Sequence, residues 1–184
     1  MKSAVEQLAS YKSVHLNPTN LKTHCVGIPL IIWAAAVWMS LPRLPLPFAG
    51  EAPLSTLAAL LILGYYLLLH WRLALGMVLL GTPLVLSAQW MAALPNGAWI
   101  AAAAFGIGWV FQLIGHRFEK AKPAFLEDLN QLLIGPLFLM AELYFALGLE
   151  ARLNQDITPL AVARRRALQQ KDKQQKNKQQ ANKP

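Results

Sequence analysis

Five apolar runs separated by short polar breaks organise this chain. Residues 26–42, 54–70, 73–94, 98–115 and 129–149 are nearly free of charge, and Glu142 is the one acid within them. A helix needs about 20 apolar residues to cross the hydrocarbon core of a bilayer. Runs of this length predict membrane spans, with tilt or local thinning for the shorter ones. The pattern therefore predicts an all-α, polytopic helical membrane protein. Four transmembrane helices are expected, plus a fifth, broken helix that either spans or re-enters.

The breaks carry recognisable local signals. Ser3-x-x-Glu6 is a capping box and starts a short helix over roughly 4–13, whose Val5, Leu8 and Ala9 are expected to rest on the membrane surface. Asn17-Pro18 restarts the chain, because Asn is a good N-cap and Pro suits the first helical position. The first span follows from about Leu21, kinked near Pro29, where a backbone donor is missing. Pro42, Pro45, Pro47 and Pro53 make 42–53 a stiff external loop. The second span ends at His70, and Trp71-Arg72 forms a tight turn with an interfacial aromatic. Pro95-Asn96-Gly97 is a strong turn signal. The fourth span, with its AAAAFGIGW stretch, allows close helix approach and ends at Gly115-His116. Pro123, Glu127 and Asp128 mark the start of the last helix, and Gly135-Pro136 is expected to break it in the middle.

Composition agrees with the class. The chain is 55% hydrophobic and 14% charged, with mean hydropathy +0.36. A soluble domain carries about a quarter charged residues, which disfavours a soluble all-α bundle. The polar first twenty residues contain no apolar signal-peptide core, so the first span is expected to stay as an anchor. Cys25 is the sole cysteine, so no intramolecular disulfide forms.

The net charge of +8 changes the picture through its placement. Alternating the four spans puts Lys2, Lys12, Lys22, Arg72, Arg117, Lys120 and Lys122 on one side and Arg43 alone on the other. The positive-inside rule then places the N-terminus in the cytoplasm, in the inner membrane if the chain is bacterial or the endoplasmic reticulum membrane if it is eukaryotic. A fifth full crossing would carry Arg164-Arg165-Arg166 outward against that rule, so a hairpin over 124–150 is preferred. Residues 1–150 read as a membrane domain. Residues 151–184 read as a basic Gln/Lys-rich tail, disordered and solvated, with anionic lipid as an alternative contact. Basic residues that flank spans or fill such a tail do not argue for nucleic acid.

The candidate chemistry is histidine. The chain has four, His15, His24, His70 and His116, and threading the spans in order puts all four at the cytoplasmic interface. A lone histidine at a helix end commonly caps terminal carbonyls, but four on one face read as a metal site facing lipid. Imidazole suits zinc, copper, iron and nickel, and no thiolate cluster favours structural zinc. Asn20 and His24, at i and i+4, share a helix face, so the amide is placed to orient the ring. Glu119, three residues after His116, is a candidate ligand, a base, or an ion-pair partner of Lys120 or Lys122. Glu142 inside an apolar run is a functional candidate by default, or pairs with a basic loop residue near the interface.

Two blocks extend this reading. One is Tyr11-x3-His15-x-Asn17-Pro18-x-Asn20-x3-His24-x2-Gly27-Ile28-Pro29-Leu30, and the other is GWVFQLIGHRFEKAKPAFLEDLNQLLIGPLFLMAELYF, from Gly108 to Phe145. Together they resemble the family of the fungal Fe(II)-dependent 2-hydroxy fatty acid dioxygenase, small membrane proteins of fatty acid α-oxidation. The resemblance covers the chain to about residue 150. It departs at Leu16, where the fungal pattern has a second histidine, and in the spacing of GHRFEK. It implies an oxidoreductase that takes a long-chain 2-hydroxy fatty acid, dioxygen and Fe2+ in membrane lipid, and yields a fatty acid one carbon shorter. It also implies metal ligation by His15, His24, His70 and His116; Glu119 and Asn20 are catalytic candidates from their spacing to His116 and His24. The competing readings are a non-catalytic membrane metal- or haem-binding or scaffold protein, and a zinc-dependent lipid hydrolase.

Overall fold

The computed structural model describes residues 2–46, 50–119 and 130–181. The helix start expected at Pro123, Glu127 and Asp128 lies outside them, as do Lys120 and Lys122. The capping box forms as expected: the Ser3 hydroxyl accepts from Glu6 N, and the Glu6 carboxylate accepts from Ser3 N at 2.8 Å, opening α1 (Ala4–Lys12). Asn17 caps α2 (Pro18–Ser40), its Oδ1 accepting from Thr19 N at 2.8 Å, and Pro18 takes the first turn. The proline-rich loop is an antiparallel ribbon, β1 (Arg43–Leu46) against β2 (Gly50–Pro53), with Arg43 opposite Pro53. Two edge strands tolerate proline where a central strand does not.

After the ribbon, α3 (Leu54–Ala92) runs 39 residues, interrupted at His70, whose φ of −160° and ψ of 96° are extended. A straight helix would separate Thr56 from Gln89 by about 50 Å. Instead Gln89 Nε2 donates to Thr56 Oγ1 at 2.8 Å, so α3 folds back on itself at His70 into two antiparallel limbs. Next comes α4 (Gly97–Glu119), packed closely on α2. A Cβ on Gly27 would come within 2.8 Å of Gly108 O, and one on Gly108 within 3.0 Å of Gly27 O. The small residues set the helix separation, as membrane helix pairs require. Among the described residues three helices, α2, α3 and α4, are long and apolar enough to cross a membrane. Their outward faces carry Leu61, Leu68, Leu79 and Trp99, each more than 70% exposed. Apolar surface this extensive marks contact with something other than water.

Each limb has one end near the ribbon and one near the histidines. Ser40, Ser55, Thr56 and Gln89 hydrogen-bond to one another at the ribbon end, above a small core of Ala34, Val37, Ala88 and Ala101. At the histidine end lies a second core, where Leu8 and Tyr11 of α1 meet Tyr66, Leu73, Ile134, Phe138 and Ile157.

This second core corrects three expectations. Leu8 and Ala9 are fully or nearly fully buried against protein, not laid on a membrane surface. The fifth helix, α5 (Gln131–Ala146), is not broken at Gly135-Pro136. In the turn that Pro136 perturbs, Tyr66 Oη donates to Leu133 O at 2.5 Å, and a neighbouring donor of this kind is what lets a proline stay inside a helix. Gly135 is a contact point, since a Cβ there would come within 2.9 Å of Tyr11 Oη. Residues 151–181 form α6 (Ala151–Ala181) where a disordered tail is expected. Leu153, Ile157 and Ala161 recur every four residues and are buried against the rest of the protein, which supplies the apolar anchorage that the Gln/Lys stretch lacks. Glu142 pairs with Lys12 at 2.6 Å, joining α5 to α1.

Candidate metal centre

Three elements deliver three imidazoles to one point. α1 ends at Lys12, and His15 N donates to Lys12 O at 2.9 Å, so a tight turn carries the ring back over the helix it has left. There it lies flat on Tyr11, with ring centroids 4.1 Å apart and planes 2° from parallel. His24 stands in the second turn of α2, and His116 in the last turn of α4. Their ring centroids are 4.6, 4.9 and 5.1 Å apart. One ligating atom from each falls within 4.8 Å of the others. Gly115 permits this approach, because a Cβ there would overlap Thr23 Oγ1 and Asn20 Oδ1 and press on His24 Nδ1.

The hydrogen bonds fix which nitrogens face inward. His15 Nδ1 lies 2.7 Å from Tyr11 O, and His24 Nδ1 lies 2.9 Å from Asn20 O. A carbonyl only accepts, so each Nδ1 is the protonated nitrogen and each Nε2 carries a lone pair. Those two Nε2 atoms face each other at 3.1 Å. Two lone pairs at that distance repel unless a cation or a shared proton lies between them. His116 adds a buried Nδ1 without a hydrogen-bond partner. Burial, with His24 beside it, holds the His15 imidazole well below its usual pKa, so it is neutral and able to ligate at ordinary pH. The donor set thus fits a transition-metal ion, with main-chain carbonyls orienting two of its ligands.

The other candidates fall elsewhere. His70 is not part of the group. It sits at the fold of α3, where its Nδ1 is 3.4 Å from Leu73 N and its Nε2 is 3.7 Å from Glu150. Glu150 also holds Arg72 at 3.0 Å, and Tyr144 Oη donates to Arg72 O, so His70 belongs to the joint between α3 and the α5–α6 corner. Glu119 is buried, but its carboxylate is taken up by Leu16 N at 3.2 Å, Asn17 N at 2.8 Å and Asn20 Nδ2 at 3.1 Å. Arg165 of α6 lies 3.5 Å from it, while Lys120 and Lys122, the partners expected from sequence, lie outside the described residues. Asn20 orients His24 through its main-chain carbonyl, while its side-chain amide donates to Glu119 and Val14 O.

The imidazoles open on a cavity of about 130 Å³. Its further walls are Ile28, Ile31 and Ile32 of α2, Trp109 and Leu113 of α4, and Leu132 of α5. Gln112 and Gln131 also border it and play no part in the expectations from sequence. Gln112 carried a usable signal, since it is a lone amide in an apolar run four residues before His116 and so on the same helix face. Gln131 and Arg165 carried none.

Comparison with known proteins identifies the family. The family model described as 2-hydroxy-palmitic acid dioxygenase Mpo1-like matches residues 1–147. The 2-hydroxy-palmitic acid dioxygenase MPO1 of Saccharomyces cerevisiae is 32% identical over 152 residues, covering 80% of this chain and 83% of the yeast protein. No solved structure matches. The matched span contains His15, His24 and His116, and on these grounds the chain belongs to the Mpo1-like family.

Proposed function

We propose that this protein is an Fe(II)-dependent dioxygenase of the membrane that shortens long-chain 2-hydroxy fatty acids by one carbon. The observation that carries the reading is the facing pair of bare Nε2 atoms on His15 and His24, with His116 beside them, at the mouth of an apolar cavity. The family and the name of the yeast relative support the reaction class. Its balance needs no co-reductant: one 2-hydroxy acid and one dioxygen give one shortened acid, one carbon dioxide and one water. The C1–C2 bond breaks, C2 becomes the new carboxyl carbon, and the four electrons lost by carbon reduce dioxygen.

His15, His24 and His116 hold the metal, and Fe(II) bound there supplies the electron chemistry that dioxygen activation needs. Tyr11 backs the His15 ring. Glu119 and Asn20 act as positioning residues: the carboxylate gathers the 14–20 turn, and the turn presents His15 to His24. Ile28, Ile31, Ile32 and Leu113 receive the alkyl chain, which leaves the polar head among the imidazoles. In this reading α2, the two limbs of α3 and α4 make four crossings and the centre lies at the cytoplasmic interface, a side supported by the basic residues that flank the spans there, with α1, α5 and α6 packed on the same end. A lipid acid then reaches the metal without leaving the bilayer.

The test is anaerobic purification with metal analysis, followed by incubation with 2-hydroxyhexadecanoic acid and oxygen. Bound iron and a fifteen-carbon acid are expected. Zinc in place of iron, or no shortened acid from iron-loaded protein, refutes the assignment.

A further inference from the structure

Five buried side-chain atoms among the described residues lack a hydrogen-bond partner, and four of them belong to residues that line the cavity beside the imidazoles. One is His116 Nδ1. The others are Gln112 Nε2 and both terminal atoms of Gln131. Gln112 is 7% exposed and Gln131 2% exposed. Buried amides are almost always hydrogen-bonded, because leaving them dry forfeits the bonds they make to water. Two orphaned amides on different helices, bordering one cavity, point to a ligand that supplies their partners.

The two differ in what they lack. On Gln112 the fully buried atom without a partner is the donor Nε2, whereas Gln131 buries both a donor and an acceptor without partners. A carboxylate can only accept; a hydroxyl both donates and accepts. We infer that Gln112 and Gln131 read the head group of the substrate, Gln112 donating to the carboxylate and Gln131 exchanging hydrogen bonds with the 2-hydroxyl. The inference rests on the proposed activity and adds the source of its selectivity. A fatty acid without the hydroxyl leaves the Gln131 carbonyl buried and dry, and a site built around a hydroxyl rejects the analogue that lacks it. The apolar walls cannot make this distinction, since they touch only the alkyl chain.

The experiment compares binding of 2-hydroxyhexadecanoic acid and hexadecanoic acid to iron-loaded protein in detergent without oxygen, so that no turnover is involved. Wild-type protein is expected to favour the hydroxy acid by roughly tenfold or more. Gln131→Leu should bring that preference below about threefold with iron content unchanged, as one hydrogen-bonded group is removed from one ligand and not the other. Gln112→Leu should weaken both acids together by about tenfold and keep the preference. Gln131→Met and Gln112→Met, unbranched and of similar length, repeat the comparison if the leucine variants do not fold. Full preference in the Gln131 variants, or loss of iron in either pair, overturns the assignment. Wild-type protein that binds neither acid overturns the proposed activity together with it. Wild-type protein that discriminates, with variants that behave identically to it, overturns the assignment alone.

Discussion

His15 and His24 face each other because each ring is held from behind by the carbonyl four residues earlier, Tyr11 O and Asn20 O. That spacing is local, yet the point where the rings meet is not, since it needs the turn at 13–17 and the Gly115 approach. Removing any of the three imidazoles leaves two donors, so His15→Ala, His24→Ala and His116→Ala should each lose iron and activity together. His70→Ala should keep its iron, because His70 touches Leu73 and Glu150 instead. Metal analysis of the four anaerobically purified variants decides this, and an iron-free His70→Ala protein would contradict a three-histidine centre. Glu119 acts one step further out. Its two oxygens collect two main-chain N–H groups and an amide, and glutamine replaces one of those acceptors with a donor. Glu119→Gln is expected to weaken iron binding by about 10–100-fold, the usual effect of losing a group that supports metal ligands. Excess iron should restore full occupancy, and an iron titration monitored by activity reads both effects.

Among the elements, α1 is the keystone of the histidine end. It packs on α5 and α6, supplies Tyr11 beneath the His15 ring, and is tied to α5 by Lys12 and Glu142. The Lys12 and Glu142 side chains are 12% and 19% exposed, between the surface pairs that contribute almost nothing and buried pairs whose breaking costs several kcal/mol. Glu142→Gln should therefore destabilise the protein by about 1–3 kcal/mol in detergent unfolding. The exchange Lys12→Glu with Glu142→Lys should recover most of the loss. A double exchange no more stable than the single variant would show that the ion pair contributes little. α5 and α6 show why punctuation in a sequence misleads. Gly-Pro reads as a break, but here the glycine lets Tyr11 approach and Tyr66 donates into the proline's turn.

For the whole molecule, the arrangement makes a topological statement. Arg165 reaches Glu119, and Glu150 reaches His70 and Arg72, so α6 begins and continues at the histidine end. On this arrangement the basic tail is expected to share the side of the N-terminus, in keeping with the positive-inside rule. Single cysteines at Ser3, Glu51 and Gln169, in a Cys25→Ser background, test this with an impermeant thiol reagent on sealed vesicles. Ser3 and Gln169 should label from one side and Glu51 from the other. Labelling of Gln169 together with Glu51 would mean that the chain crosses once more.

The sequence by itself determined the helical membrane class, the apolar runs, the capped starts at Ser3 and Asn17, and the family resemblance carried by its two blocks. These features depend on neighbours within a few residues or on the length of a run, so they survive in a linear reading. It also brought all four histidines to one end, because alternating spans impose that. The tertiary structure alone decided which of them meet. Joining His15 and His24 to His116, leaving His70 to Glu150, and binding Glu119 to the 14–20 turn and Arg165 are choices between partners tens to about a hundred residues apart. The orphaned amides of Gln112 and Gln131 are a finding of the same kind, since a missing partner becomes visible only when every neighbour is in place.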